Sequence, residues 1–236
     1  MKRIRVLPGL VILLLMSGPA LGLTIDEWDS GTDFSLIVAD TTHMPALPQT
    51  AQLVEAVAGV LGGYRDVYIR HLSGDTNNTA SATFDDADSY MSYSNDSGID
   101  SELTLTYDNN GSGFGGLGID LTEGGISPSI LMKFLGSDIG ADVTVTITDI
   151  NGLTLTHQQG TPGTTTGEIL AFDFDDFTGT GDETAADSVV FFIEGEPRGD
   201  HDIDFIKTGI IPEPVTMAGL LLGIGALGGY IRRRRA

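Results

Sequence analysis

The chain of 236 residues is long enough for one ordinary domain or two small ones. It contains 33 acidic and 12 basic residues, a formal net charge of −21, and no cysteine. The lack of cysteine excludes disulfides, thiol catalysis, thiolate metal sites and iron–sulfur clusters. The acidic balance argues against nucleic acid as a partner, because phosphate contacts require clustered lysine and arginine. All but one of the acidic residues and only five of the basic ones lie between Leu23 and Ile211, which gives this region a formal net charge of −27.

The N-terminal segment, residues 1–22, has the three parts of a secretory signal peptide. Three basic residues among the first five precede an apolar stretch from Val6 to Met16. Ala20 and Gly22 are the small residues at positions −3 and −1, which predicts cleavage after Gly22. An uncleaved membrane anchor is the alternative, but the stretch is shorter than the roughly 20 residues that a helix needs to cross a bilayer. The sequence therefore predicts an exported protein.

Residues 23–210 contain many short runs in which apolar and polar residues alternate, the period of a half-buried β-strand. In 142–149, for example, valine and isoleucine alternate with threonine. The run 189–193 is apolar throughout, which predicts a strand at the centre of a sheet. The other runs predicted as strands are 34–39, 67–71, 80–84, 90–93, 101–107, 117–121, 130–135, 153–156, 169–174 and 202–207.

Turn-forming residues separate these runs, and they set the expected architecture. Asn151-Gly152 predicts a β-hairpin with a type I′ turn. In 51–61 the apolar residues have helical spacing, which predicts a short helix or a buried loop. Some ten to twelve short strands without a long linker predict an all-β fold, a single β-sandwich over residues 23–210.

The C-terminal segment 211–236 combines a proline-rich motif, an apolar span and a basic end. The span 215–231 has 17 apolar, glycine-rich residues and would reach about 25 Å as a helix, just enough to enter a bilayer. The basic end should stay in the cytoplasm and the acidic domain outside. The motif is Pro212, Glu213 and Pro214, and the basic end is Arg232, Arg233, Arg234 and Arg235.

These three features in this order resemble the PEP-CTERM sorting signal of exported proteins in Gram-negative bacteria that make extracellular polysaccharide. The resemblance implies that a membrane-embedded exosortase recognises the Pro-Glu-Pro motif and removes the tail. It covers only 211–236, so it speaks to sorting and not to the domain. Residues 62–66 and 202–206 are also similar to segments of exported jelly-roll domains that carry this tail, which favours a jelly-roll-like sandwich. A plain tail anchor is the alternative.

Two acidic runs are the recurring candidate site. They are Asp173, Asp175 and Asp176, and Asp200, Asp202 and Asp204. Acids of period two share one face of an extended strand, so Ile203 and Phe205 are expected on the other face. Phe205 stands where a calcium-binding helical hand needs glycine, which excludes that loop. The hypothesis is a calcium ion held by carboxylates at strand ends, with the two runs side by side; the alternative is a solvated acidic surface.

No catalytic motif is found. The four histidines lack zinc-site spacing, no Gly-x-Ser-x-Gly elbow occurs, and no phosphate-binding loop occurs. The single tryptophan, Trp28, is interpreted as a packing residue rather than a sugar-stacking one. The chain is therefore predicted not to be an enzyme.

The sequence thus predicts a protein of the cell envelope, cell surface or extracellular matrix of a Gram-negative bacterium, with a structural or carbohydrate-binding role. The expected partners are an exosortase, the membrane before processing, and a polysaccharide; calcium is the only cofactor considered. Two alternatives remain open. A carbohydrate-active hydrolase needs two carboxylates converging in a cleft, and a protein–protein adhesin needs an exposed apolar patch.

Overall fold

The computed structural model describes residues 22–39, 48–74, 77–85, 87–110, 116–161 and 163–211. The predicted signal segment up to Ala20, the Pro-Glu-Pro motif, the span 215–231 and the arginine cluster lie outside these residues. Within the described part of the chain, no helix is both long and apolar enough to cross a membrane.

The described residues form β-strands and three short 3₁₀ helices. The 3₁₀ helices are Leu61–Gly63, Phe174–Asp176 and Glu183–Ala185. The strands are β1 (Thr24–Asp26), β2 (Phe34–Ala39), β3 (Thr50–Ala56), β4 (Tyr64–Gly74), β5 (Thr79–Asp85), β6 (Tyr90–Asn95), β7 (Ile99–Asp108), β8 (Ser129–Ser137), β9 (Ala141–Asp149), β10 (Thr154–Gly160), β11 (Thr165–Asp173), β12 (Thr178–Gly179), β13 (Ala186–Gly195) and β14 (Asp200–Gly209).

Two antiparallel sheets pack face to face, so the all-β sandwich is confirmed. The front sheet has the order β12-β10-β9-β13-β7-β4-β3. The back sheet has the order β11-β8-β14-β6-β5-β2, and β1 also pairs with β14. Because β6 pairs only with the first residues of β14, β1 occupies the same side of β14 further along.

The core lies between the sheets and follows the predicted alternation. In β9, Val143, Val145 and Ile147 are fully buried, while the threonines between them face outward and are half-buried. Strand β13 lies between β9 and β7, which confirms that 189–193 is a central strand. Burial alternates along this strand although every residue of 189–193 is apolar. Phe191 is fully buried, whereas Phe192 faces outward and is half-buried.

Three local predictions need correction. Of the run 51–61, residues 51–56 belong to the edge strand β3 instead of a helix, whereas 57–61 forms the buried loop that was the alternative, with Val57, Val60 and Leu61 buried. Residues 117–121 contain only a single bridge from Ile119 to Ala186. The hairpin between β9 and β10 is confirmed, but its turn is not type I′, since Gly152 has a positive φ of 77° and Asn151 does not. The Asp149 side chain instead accepts hydrogen bonds from the backbone N of Asn151 and Leu153, which holds a longer loop.

The first and last described strands meet at one place. Thr24 lies opposite Lys207, and the backbone N of Thr208 donates to the Leu23 carbonyl at 2.9 Å. A Cβ on Gly22 would lie 1.6 Å from the Thr208 carbonyl oxygen, so only glycine fits here. The two ends of the described domain are therefore neighbours.

Candidate functional site

The outer face of the front sheet is the candidate site, and it is hereafter called the front face. Six strands of seven to eleven residues cross it, and their outward side chains stand in rows wherever the register is unbroken. Threonine dominates these rows, with side chains on β7, β9 and β10. The face therefore offers many hydroxyl groups on a rigid backbone.

Two aromatic side chains stand in one row of this face. Phe192 of β13 lies opposite Thr104 of β7, and Thr104 lies opposite Tyr68 of β4. Both rings are half-buried, so each keeps part of its surface accessible. With one strand between them, the two residues are about 10 Å apart at the backbone, twice the spacing of neighbouring strands. This separation is close to the length of a disaccharide.

Hydrogen-bonding groups border the aromatic row. Gln52 of β3 lies opposite Tyr68, and its Nε2 donates to both carboxylate oxygens of Asp66, at 3.0 and 2.8 Å. Burial raises the pKa of Asp66, and the hydrogen bond from Gln52 opposes this rise. The Gln52 amide thus holds a carboxylate beside Tyr68 at a fixed orientation.

A row of charged residues ends the front face on the other side. Glu194 lies directly opposite Asp142 on one flank and Glu102 on the other. Arg70 pairs with Glu102, with Nε 2.7 Å from Oε1 and Nη2 3.0 Å from Oε2. Here a depression of about 210 Å³ is lined by Gly140, Ala141, Asp142, Thr161, Glu194 and Glu196.

A buried ion cluster fixes the strands beneath this face. Arg65 of β4 is fully buried and makes two hydrogen bonds to Asp26, from Nε at 2.6 Å and from Nη2 at 2.7 Å. Its Nη1 donates to Glu55 of β3 at 2.8 Å. The guanidinium carbon lies 4.3 Å from the centre of the Trp28 ring. Trp28 is fully buried, so its interpretation as a packing residue is confirmed.

The two acidic runs do not come together. Asp173 of β11 lies opposite Ser129 of β8, and Ser129 lies opposite Gly209, the last residue of β14. Asp200 is the first residue of β14, so it lies at the other end of that strand. Nine residues of strand correspond to roughly 30 Å. Asp175 and Asp176 lie exposed in a 3₁₀ helix next to Asp173. The expectation that the runs lie side by side is therefore wrong.

A β-bulge also changes the second run. The register of β14 against β8 shifts on both sides of Ile203, so the alternation restarts at Phe205. Phe205 consequently faces outward beside Lys207, whose Nζ lies 4.2 Å from the ring centre. Asp204 pairs with Lys133 at 2.5 Å.

Of the remaining two acids of this run, Asp200 accepts a hydrogen bond from Ser94 with its carboxylate. Asp202 lies opposite Ser92 in the strand register. In the part of the chain that the structure describes, no group of three or more histidine, aspartate or glutamate side chains is arranged to hold a metal ion.

Sequence reasoning missed the front face because cross-strand register decides it. Tyr68 belongs to a run that was predicted as a strand, yet nothing local placed it in the same row as Phe192. The alternation of outward Tyr64, Asp66, Tyr68 and Arg70 along β4 was the available signal.

No protein-family model matches the chain. No curated protein matches it either. Among solved structures, the chain is similar to a family 11 carbohydrate-binding module from Clostridium thermocellum in complex with a β-1,3-1,4-mixed-linked tetrasaccharide, at 13% identity and a TM-score of 0.34, covering 76% of this chain and 97% of that one. The solution structure of CtCBM11 gives 14% identity and a TM-score of 0.37, with 83% and 99% covered. An exo-β-agarase gives 13% identity and 0.36, with 61% and 23% covered. At these identities and scores the likeness is limited to the general outline of the fold.

Proposed function

We propose that this chain is an exported protein of the bacterial cell envelope or matrix that binds polysaccharide on its front face and does not cleave it. The observation that carries the proposal is the row Phe192, Thr104 and Tyr68. Aromatic rings with one accessible face can stack on the apolar faces of sugar rings, while threonine, glutamine and aspartate groups around them bind hydroxyls.

The charge of the front face selects among polysaccharides. Asp66, Glu102, Asp142 and Glu194 face outward around the aromatic row, and Arg70, paired with Glu102, is the only basic side chain among the register partners named above. A face of one sign repels ligands of the same sign. The proposed ligand is therefore a neutral polysaccharide rather than one rich in uronate or sulfate.

Binding should be lost when either ring is removed. Tyr68→Ala and Phe192→Ala should each weaken binding to soluble neutral β-glucans or galactans by at least tenfold, about 1.4 kcal/mol, because a stacking ring is the kind of group that dominates binding energy. Affinity gel electrophoresis with each polysaccharide, and with alginate as the anionic comparison, measures this. Phe205→Ala is the matched control, since Phe205 is a half-buried aromatic on the outer face of the back sheet. An equal loss for Phe205→Ala, or stronger binding to alginate, would contradict the proposal.

A pair of neighbouring carboxylates is the one feature that favours the hydrolase alternative. Glu194 of β13 and Asp142 of β9 lie directly opposite each other on adjacent strands, and both line the depression at the end of the face. Incubation with the same polysaccharides should release no reducing ends. Release that disappears in Glu194→Gln would establish the hydrolase instead.

The adhesin alternative has less support. The large apolar side chains with the greatest exposure among the described residues are Ile126 and Ile150, and they lie in separate loops. Scattered apolar residues of this kind are ordinary on a soluble surface.

Sorting is the second part of the proposal. An exosortase should remove the chain beyond the Pro-Glu-Pro motif, and Glu213→Ala should leave the precursor in the membrane fraction. Mass spectrometry of surface-located protein from the native host measures the cut. Surface protein that retains the four arginines would refute this part.

A further inference from the structure

The first residue after the predicted signal peptide, Leu23, is linked through one hydroxyl group to the half-buried carboxylate of Glu123. The backbone N of Leu23 donates to Thr208 Oγ1 at 2.9 Å, and Thr208 Oγ1 donates to Glu123 Oε2 at 3.1 Å. Thr208 is fully buried, so this chain of hydrogen bonds is shielded from water. The Thr208 hydroxyl group thus bridges the backbone N of Leu23 and the carboxylate of Glu123.

Glu123 is held by hydroxyl donors. Its Oε2 accepts from Thr208 and also from Ser127, which is itself buried. Among the described residues, no basic side chain forms an ion pair with Glu123. Lys207, which lies opposite Thr24, places its ammonium over the Phe205 ring instead. In a region with a formal net charge of −27, a carboxylate without a cation is costly when it is partly shielded.

The turn that presents Glu123 is tightly held. Asp120 accepts hydrogen bonds from the backbone N of Thr122 at 2.9 Å and of Gly124 at 2.8 Å. Glu123 itself has a φ of 52°, a left-handed conformation that is uncommon outside glycine. The carboxylate is therefore positioned by its turn before any partner arrives.

The predicted cleavage bond is also the bond that packs on β14. Gly22 lies against the Thr208 and Gly209 backbone so closely that no side chain fits. A peptidase needs its substrate freed from such packing. Cleavage after Gly22 therefore has to precede the docking of β1.

We propose that signal-peptide cleavage creates the missing cation: the new α-ammonium group of Leu23 binds between Thr208 and Glu123 and locks β1 onto β14. Water hydrolyses the Gly22–Leu23 peptide bond, the released peptide keeps the Gly22 carboxylate, and the Leu23 nitrogen takes up protons to become an ammonium. The ammonium has three donors where the amide had one, so it donates to Thr208 Oγ1 and pairs with Glu123.

Docking of β1 has consequences for the core. The same short strand supplies Asp26, and Trp28 follows it, and both residues contact Arg65. A lock on β1 would therefore also stabilise the ion cluster beneath the front face. The inference rests on the proposed export and signal-peptide cleavage, and not on polysaccharide binding.

Acetylation of the amino group tests the proposal, because it removes the charge and changes no residue. The protein starting at Leu23 is compared with its Nα-acetylated form, in the wild-type sequence and in Glu123→Gln. Acetylation should lower Tm by about 2–4 °C in the wild type, the shift expected for ~1 kcal/mol in a domain of this size. In Glu123→Gln the acetylation effect should largely vanish. Glu27→Gln is the matched control, since Glu27 is exposed and four residues away; there the effect should persist. Equal effects of acetylation in all three proteins would overturn the proposal.

A second measurement holds even where Glu123→Gln does not fold. Reductive methylation with ¹³C-formaldehyde keeps the charge and labels three amines in the mature domain: the Leu23 amine, Lys133 and Lys207. Pairing with Glu123 should hold the α-amine pKa above the ordinary range of about 7.7–8.0. A pKa within or below that range would overturn the proposal, as would a mature N-terminus other than Leu23.

Discussion

Replacement of Arg65 by methionine should destabilise the domain by about 3–5 kcal/mol, the range for removing one partner of a buried ion pair. The variant leaves Asp26 fully buried and deprived of two charge-assisted hydrogen bonds. It also leaves Glu55 without its cation and removes the guanidinium from the Trp28 ring. Tm should fall by roughly 6–20 °C for a domain of this size. Urea unfolding followed by circular dichroism measures the loss.

Two further variants separate the charge effect from simple loss of packing. Arg70→Met removes an arginine from the same strand whose side chain is 48% exposed, and it should cost less than about 1 kcal/mol. Asp26→Asn in the Arg65→Met background removes the stranded charge, so the double variant should be more stable than the two separate losses predict. If Arg65→Met and Arg70→Met cost the same, the buried cluster does not stabilise the fold.

Stability should decrease on mild acidification because of His201. Its ring is fully buried between Tyr93 and Phe134, with Nδ1 3.0 Å from Ser137 Oγ. Burial lowers the pKa of His201, and the carboxylates of Asp138, Asp200 and Asp202 oppose this only in part. In the unfolded chain the histidine titrates near pH ~6.5. Below that pH the unfolded chain binds a proton that the folded chain does not.

The sign of the effect follows from this difference. The contribution of neutral His201 to the free energy of unfolding is complete above about pH 6.5. It is lost as the pH falls toward the lower pKa of the folded state, by up to ~1.4 kcal/mol per pH unit. His201→Gln should therefore flatten the dependence of unfolding free energy on pH between about 6.5 and 5. Urea unfolding across this interval measures it, and carboxylates common to both proteins cancel in the difference. An unchanged slope in His201→Gln would show that the ring takes up its proton within the fold.

Alternation allowed most strands to be predicted because most strands have one face in the core. Phe34–Ala39 is reproduced to the residue, and the threonine-rich β9 differs by one residue at its start. One exception is β3, an edge strand whose Val54 is 45% exposed. Because the outer face of this strand carries Val54 next to the more buried Leu53, apolar residues on both of its faces imitate helical spacing.

Neither the bulge of β14 nor the front face could be read from local sequence. The change in side-chain alternation around Asp204 arises from the pairing of β14 with β8. The Lys133–Asp204 contact of these two strands joins residues that are 71 positions apart in the chain. Phe192 looked like core because its neighbours are apolar, and only the pairing with Thr104 and Tyr68 places it in an outward row. Long-range register carries this information, and a single sequence does not display it.

The position of β14 also determines how the domain bears mechanical load. The described domain ends just after Gly209, on a strand that lies inside the back sheet with β8 on one side and β6 and β1 on the other. Tension along this strand shears its hydrogen bonds to β8 together, which resists force far better than opening them one at a time. Tension between residues 22 and 211 would instead peel β1, a strand of three residues, from its partner. A pull along β14 from the C-terminal end would thus load the back sheet in its stronger direction.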